Sequence, residues 1–285
     1  MSSFGVRLAS KVAERGSLVV GIDPHPGLLA AWGLPDSARG VAEFSRIVVE
    51  SLADLVPMVK PQSALYERHG SQGVAALEDT LSLARELGVL SLVDAKRGDI
   101  GSTMTAYAEA YLGPMSSLAG DAVTLSPYLG FGSLQPALEM AADNERGVFV
   151  LALTSNPEGA SVQHATGPEG RSVAATIARD VAEANADARR RGELGSVGMV
   201  VGATVGDAVR KLGIDLAETA APLLAPGVGA QGAGPDELRA VFGLSASNGQ
   251  LLPTTSRAIL AHGPDPAALR QAVFDAVAEL DSLTD

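Results

Sequence analysis

Asp94, Lys96 and Asp99 lie in one short stretch, Asp94-Ala95-Lys96-Arg97-Gly98-Asp99-Ile100, which gathers two carboxylates and an ammonium. The apolar run 89–93 that leads into it reads as a buried strand of a parallel sheet. Side chains alternate along a strand, so Asp94 and Lys96 project to the same side, about 7 Å apart. Gly98 allows a sharp exit and places Asp99 on the loop beyond. Such a cluster is either a solvated ion pair at a strand end or a proton-transfer site. Buried, it shifts pKa values strongly and is costly unless every charge is paired.

Other segments must hold this one in place. Apolar residues at Val6, Leu8, Ala9, Val12 and Ala13 predict a short amphipathic helix over 4–15. A strand over 18–22 ends at Asp23, where Pro24 stops regular structure. A helix over 38–53 follows, then a strand over 55–59 with Lys60 at its exit, and a helix over 73–87. After Asp99, Ser102 is placed to cap a helix whose apolar face includes Met104, Tyr107, Ala108 and Tyr111. Strands are expected over 121–125, 147–153, 197–201, 222–225 and 251–255, with helices over 134–142, 173–191 and 206–212, one from Asp236, and one closing the chain. The polar, Gly- and Pro-rich segment 154–171 is too long for a simple connector and is expected to serve as an active-site loop. Eight strand–helix alternations without a linker or repeat predict one α/β domain over 1–285, a single (β/α)8 TIM barrel. An open doubly wound sheet is the alternative, but it has less need of a count of eight.

In such a barrel the chemistry sits at the carboxyl ends of the strands. Asp23, Lys60, Asp94, Lys96, Ser155, Gln231 and Arg257 all fall at such ends, with Asp99 just beyond. Two Asp–Lys pairs therefore face one side of the mouth. The other side resembles an anion site. Gly227, Gly229, Gly232 and Gly234 let backbone N–H groups approach a ligand, and Arg257 follows the eighth strand. Backbone amides with a forked guanidinium suit a phosphate dianion. Trp32 reads as packing, His25 as a loop residue, and Arg189-Arg190-Arg191 as a solvated helix end.

Composition narrows the classes. The chain of 285 residues carries 21 basic and 33 acidic side chains, a net charge of −12 that opposes binding to nucleic acid or to an anionic membrane. With no Cys, thiol catalysis, disulfides and thiolate metal sites are excluded, and a reducing cytosol is compatible. The four histidines show no metal-binding spacing, so no metal is expected. Charges at Arg7, Lys11, Glu14 and Arg15 leave no signal-like apolar core, and three prolines break the uncharged stretch 219–235.

Three motifs together, D-A-K-R-G-D-I at 94–100, P-G-V-G-A-Q-G at 226–232 and T-S-R at 255–257, resemble the orotidine 5′-phosphate decarboxylase family in its bacterial variant with longer insertions. Asp23, Lys60 and T-S-N-P-E-G at 154–159 keep the same order. The resemblance implies a cytoplasmic, cofactor-free homodimeric lyase that converts orotidine 5′-monophosphate to UMP and CO2 in de novo pyrimidine synthesis. By it, Lys96 is the proton donor to C6 and Asp94 lies against the substrate carboxylate. Lys60 and Asp23 bind ribose hydroxyls, and Lys60 also holds Asp94. Asp99 and Thr103 reach into the partner subunit's site. Ser155 contacts the pyrimidine, Gln231 bridges base and phosphate, and Arg257 holds the phosphate beside Gly229 and Gly232. Two alternatives stay open: a Mg²⁺-dependent sugar-phosphate lyase of the same superfamily, and a non-catalytic nucleotide-binding barrel.

Overall fold

Each buried strand carries a run of apolar side chains facing both ways, which only a sheet covered on both faces can satisfy. The computed structural model describes residues 2–229 and 232–281, and Gln231 lies outside them. Among the described residues the strands are β1 (Val19–Ile22), β2 (Met58–Pro61), β3 (Leu90–Arg97), β4 (Ala122–Leu125), β5 (Gly147–Leu153), β6 (Val197–Val201), β7 (Leu223–Pro226) and β8 (Leu251–Thr255). They pair in parallel and in sequence order, and β8 returns to β1 through Val19 opposite Thr254, closing the barrel. No described helix is long and apolar enough to cross a membrane.

The N-terminal helix, Phe4–Arg15, does not join the outer ring. Ser3 caps it through its hydroxyl on the Val6 N–H. Its Phe4 and Leu8, both fully buried, pack with Val19, Met58, Leu92, Phe149 and Leu252 inside the barrel. Phe4 meets Phe149 edge to face at 6.1 Å. Gly147 makes room for this plug, since a Cβ there would stand 2.4 Å from the Phe4 ring. A second apolar cluster, including Val41, Phe44, Leu77, Met104 and Leu134, fills the layer between the strands and the surrounding helices.

Several expectations are corrected. The second strand begins three residues and ends two residues later than its apolar run suggests, so Lys60 lies inside β2 and is only 5% exposed. Short helices Pro26–Ala31 and Ser63–Glu67 follow β1 and β2; the first uses Pro26 at its opening position, where a missing N–H costs nothing. The helix after β3, Gly101–Leu112, begins before Ser102, so that hydroxyl does not cap it. The helix expected over 173–191 is divided into Val173–Ala184 and Ala186–Arg190 at Asn185. That side chain is buried, and its amide bonds Val197 and Thr219 backbone groups, tying the break to β6. The 154–171 segment holds a 3₁₀ turn, Pro157–Gly159, a helical turn, Ala160–Gln163, and a bridge between Thr166 and Ser172.

Candidate active site

The carboxyl ends of the strands open on a cavity of about 760 Å³, lined in part by Asp23, Lys60, Asp94, Lys96, Thr154 and Arg257. Asp94, nearly buried in its wall, joins the charged groups together. One carboxylate oxygen, Oδ2, accepts from Lys60 Nζ at 3.0 Å and Gln62 Nε2 at 2.9 Å. The other, Oδ1, accepts from Lys96 Nζ at 2.6 Å and Thr124 Oγ1 at 2.8 Å. Four donors thus fill the lone pairs of one buried carboxylate. Burial alone would raise the Asp94 pKa, but the two ammoniums outweigh it and hold the group well below the usual carboxylate range. Burial would likewise lower Lys60, but Asp94 and then Asp23 keep it charged and push it up. Asp23 Oδ1 is itself buried without a hydrogen-bond partner among the described residues, and so is Thr255 Oγ1. Both residues line the cavity, where a polar ligand would satisfy them.

The two lysines differ. The Lys60 side chain is 7% exposed and walled in, whereas that of Lys96 is 45% exposed. Lys96 also adopts φ +49°, a left-handed backbone conformation that costs a non-glycine residue about 1–2 kcal/mol. The next residue, Arg97, is anchored outside the cavity. Its guanidinium pairs with Glu67 and lies 5.9 Å from the Tyr107 ring and 5.8 Å from that of Tyr111. Gly98 is needed for close approach rather than for a turn, because a Cβ there would stand 2.3 Å from the Ser126 carbonyl oxygen.

The structure therefore brings Asp23, Lys60, Asp94, Lys96 and Arg257 to one cavity, and leaves other expected residues outside it. Ser155 is exposed, and Thr154, the first residue after β5, takes the place beside the cavity. Of the amide cradle expected at Gly229 and Gly232, the described N–H groups are engaged within the loop itself. The Gly229 N–H donates to Ala233 O at 3.0 Å and the Gly232 N–H to Gly229 O at 2.9 Å, so both are spent inside their own loop. Asp99 accepts from the Ile100 N–H and Thr103 is exposed on the following helix; neither lines this chain's cavity. Sequence reasoning missed Gln62 and Thr124. Each carried a signal: Gln62 stands two residues beyond Lys60, on the same side of the chain, and Thr124 is the lone hydroxyl in a fully buried strand. His25 is a loop residue, as expected, and it also lines the cavity.

The family model described as "Orotidine 5'-phosphate decarboxylase / HUMPS family" matches residues 16–272. The chain is 57% identical to the orotidine 5′-phosphate decarboxylase of Salinispora tropica over 98% of this chain and 97% of that protein. It is 55% identical to that of Streptomyces coelicolor over 95% of each. Among solved structures, one from Streptomyces avermitilis overlays with a TM-score of 0.93 at 52% identity, covering 100% of this chain and 96% of that one. The OMP decarboxylase of Leishmania donovani gives a TM-score of 0.76 at 28% identity, with 99% of each chain covered.

Proposed function

Because this chain belongs to the orotidine 5′-phosphate decarboxylase / HUMPS family, its reaction is the decarboxylation of orotidine 5′-monophosphate to UMP and CO2, and we propose that Lys96 supplies the proton that replaces the carboxylate. The observation that carries this reading is the Lys96 ammonium at the edge of the cavity, held 2.6 Å from a carboxylate that Lys60 also pairs. When the C6–carboxylate bond breaks, its electron pair stays on C6 and CO2 leaves. An ammonium at that carbon stabilises the growing charge and then transfers a proton, after which solvent reprotonates the lysine. Asp94 holds that ammonium in place through its 2.6 Å contact and lies against the departing carboxylate. Asp23 and Lys60 take the ribose hydroxyls, which would satisfy the unpartnered Asp23 oxygen. Arg257 holds the phosphate, whose binding energy is available to organise the mouth around the base. Gln231 is assigned the bridge between base and phosphate by family resemblance, and the pyrimidine contact is assigned to Thr154, which lines the cavity, in place of the exposed Ser155. The 154–171 segment, entering at Thr154, serves as the active-site loop.

Mixing the protein with orotidine 5′-monophosphate and following loss of ultraviolet absorbance tests the reaction directly. The Mg²⁺-dependent lyase reading is disfavoured because the four donors on Asp94 leave it no free lone pair for a divalent cation. Turnover that survives EDTA removes that reading, and turnover itself removes a purely nucleotide-binding barrel.

The positions of Asp99 and Thr103 outside this chain's cavity support a homodimer in which they complete the neighbouring site. Lys96→Ala and Asp99→Ala homodimers are then both impaired. Mixed after dissociation, half the dimers are heterodimers with one intact site, so activity returns to roughly a quarter of wild type. No recovery despite confirmed subunit exchange places Asp99 in its own chain's site.

A further inference from the structure

The pairing of β3 with β4 breaks where the proposed chemistry sits. Val93 is opposite Val123, but the next partners are Arg97 and Leu125, so four steps along β3 are matched by two along β4. Asp94, Ala95 and Lys96 fall in the gap, where the regular ladder offers the Lys96 N–H no carbonyl. The hydroxyl of Thr124, a fully buried residue, fills that role. It accepts from the Lys96 N–H at 2.9 Å and donates to Asp94 Oδ1 at 2.8 Å. One hydroxyl thus fixes both the left-handed Lys96 backbone and the carboxylate that holds the Lys96 ammonium.

We propose that Thr124 is a positioning residue for decarboxylation, its hydroxyl clamping the Lys96 backbone and the Asp94 carboxylate in a single arrangement that aims the ammonium into the cavity. The half-exposed Lys96 side chain depends on this clamp, because the walls that confine Lys60 do not confine it. Without the hydroxyl, Asp94 Oδ1 keeps only the ammonium, the Lys96 N–H loses its acceptor, and the bulge is free to relax. Displacement of a catalytic group by about 1 Å is enough to slow turnover by about 10²-fold. Thr124 makes no contact with Arg257, so the phosphate contact is untouched, and Lys60 keeps its own bond to the other Asp94 oxygen, Oδ2.

The inference rests on Lys96 being the proton donor, and the experiment separates the two. Thr124→Val preserves branching and strand preference but removes the hydroxyl; Thr124→Ser restores it. Expected for Thr124→Val is a fall in kcat of about 10- to 100-fold, with KM and the Kd for UMP within about threefold of wild type. Thr124→Ser should recover most of the rate. The clamp is overturned by a Thr124→Val kcat within about threefold of wild type, by failure of Thr124→Ser to exceed it, or by UMP affinity falling in step with kcat. If Thr124→Val does not fold, Thr124→Ala set against Thr124→Ser makes the same comparison, and equal kcat values overturn the clamp. Lys96→Ala, assayed alongside, tests the underlying reading: if it stays active, the proton-donor role falls, whatever Thr124→Val does.

Discussion

At the amino end of the barrel Phe4 and Leu8 sit among Val19, Met58, Leu92, Phe149 and Leu252, all wholly buried and apolar. At the carboxyl end the same strands finish in Lys60, Asp94, Lys96 and Thr255 around a cavity of about 760 Å³. The floor is held by non-directional burial, in which many contacts of similar worth share the load. The mouth is held by a few directional bonds to a single carboxylate, each of which fixes an angle as well as a distance. Stability should therefore be concentrated at one end and activity at the other, with Asp94 as the place where the division fails.

The largest effect expected tests the mouth alone. Lys96→Ala should lower kcat by at least about 10³-fold, roughly 4 kcal/mol of transition-state stabilisation. Its melting temperature should stay within a few degrees of wild type, because the side chain is half exposed. Residual activity above about a tenth of wild type, an effect under about 1.4 kcal/mol, would remove the assigned role. Steady-state kinetics with thermal melting separates these outcomes.

Asp94→Asn should blur the comparison by damaging both properties. It strands the buried Lys60 ammonium with only Asp23 for charge compensation, at a stability cost of about 3–5 kcal/mol. The effect has a pH signature. With its pKa held low in the folded protein, Asp94 contributes stability that is present above the unfolded carboxylate value of about 3.9 and is lost as pH falls below it. Denaturant titrations at pH 7 and pH 3 should therefore show wild type and Asp94→Asn drawing closer in acid. Equal gaps at both values would mean the pair contributes no charge-dependent stability.

Phe4→Ala should do the converse of Lys96→Ala. Loss of a buried ring from the floor is expected to cost about 3–5 kcal/mol of unfolding free energy while kcat per folded molecule is unchanged. A fall in kcat matching the loss of stability would show that the two ends are coupled. The smallest effect, under about 0.5 kcal/mol, is expected for Glu50→Ala, which removes an exposed partner of Arg46 on the outer helix Ala38–Leu52.

The strands with uninterrupted apolar runs, β5 and β6, were legible in the sequence to their last residue. β2 was not, because its carboxyl half is Lys60-Pro61, a charge and an imide that local preference assigns to a loop. Lys60 belongs in the sheet only because Asp94, 34 residues away, pairs with it. The division of the 173–191 helix at Asn185 has the same origin, since the partners of that amide lie on and beyond β6. Motif spacing identified the charged residues of the mouth, whose types are rare inside barrels. It passed over Gln62 and Thr124, whose types are common everywhere and whose role comes from the β3–β4 register shift. The turn at Gly229 and Gly232 was legible as a turn, but where its N–H groups point depends on Ala233 closing the loop on itself.

The plug at the floor sets an order on how the molecule is made. Arg7 of the N-terminal helix pairs with Asp121 and donates to Glu145 O, and the Gly5 N–H donates to Ser196 Oγ, contacts 114 to 191 residues downstream. At about 5–20 residues per second, a ribosome needs roughly 10 to 40 s to deliver Ser196 after Gly5. For that interval the helix has an apolar face and nowhere to put it. Nascent chains stalled before β6 should thus present Phe4 and Leu8 to chaperones, and release of that helix from a chaperone would mark the moment the barrel acquires its floor.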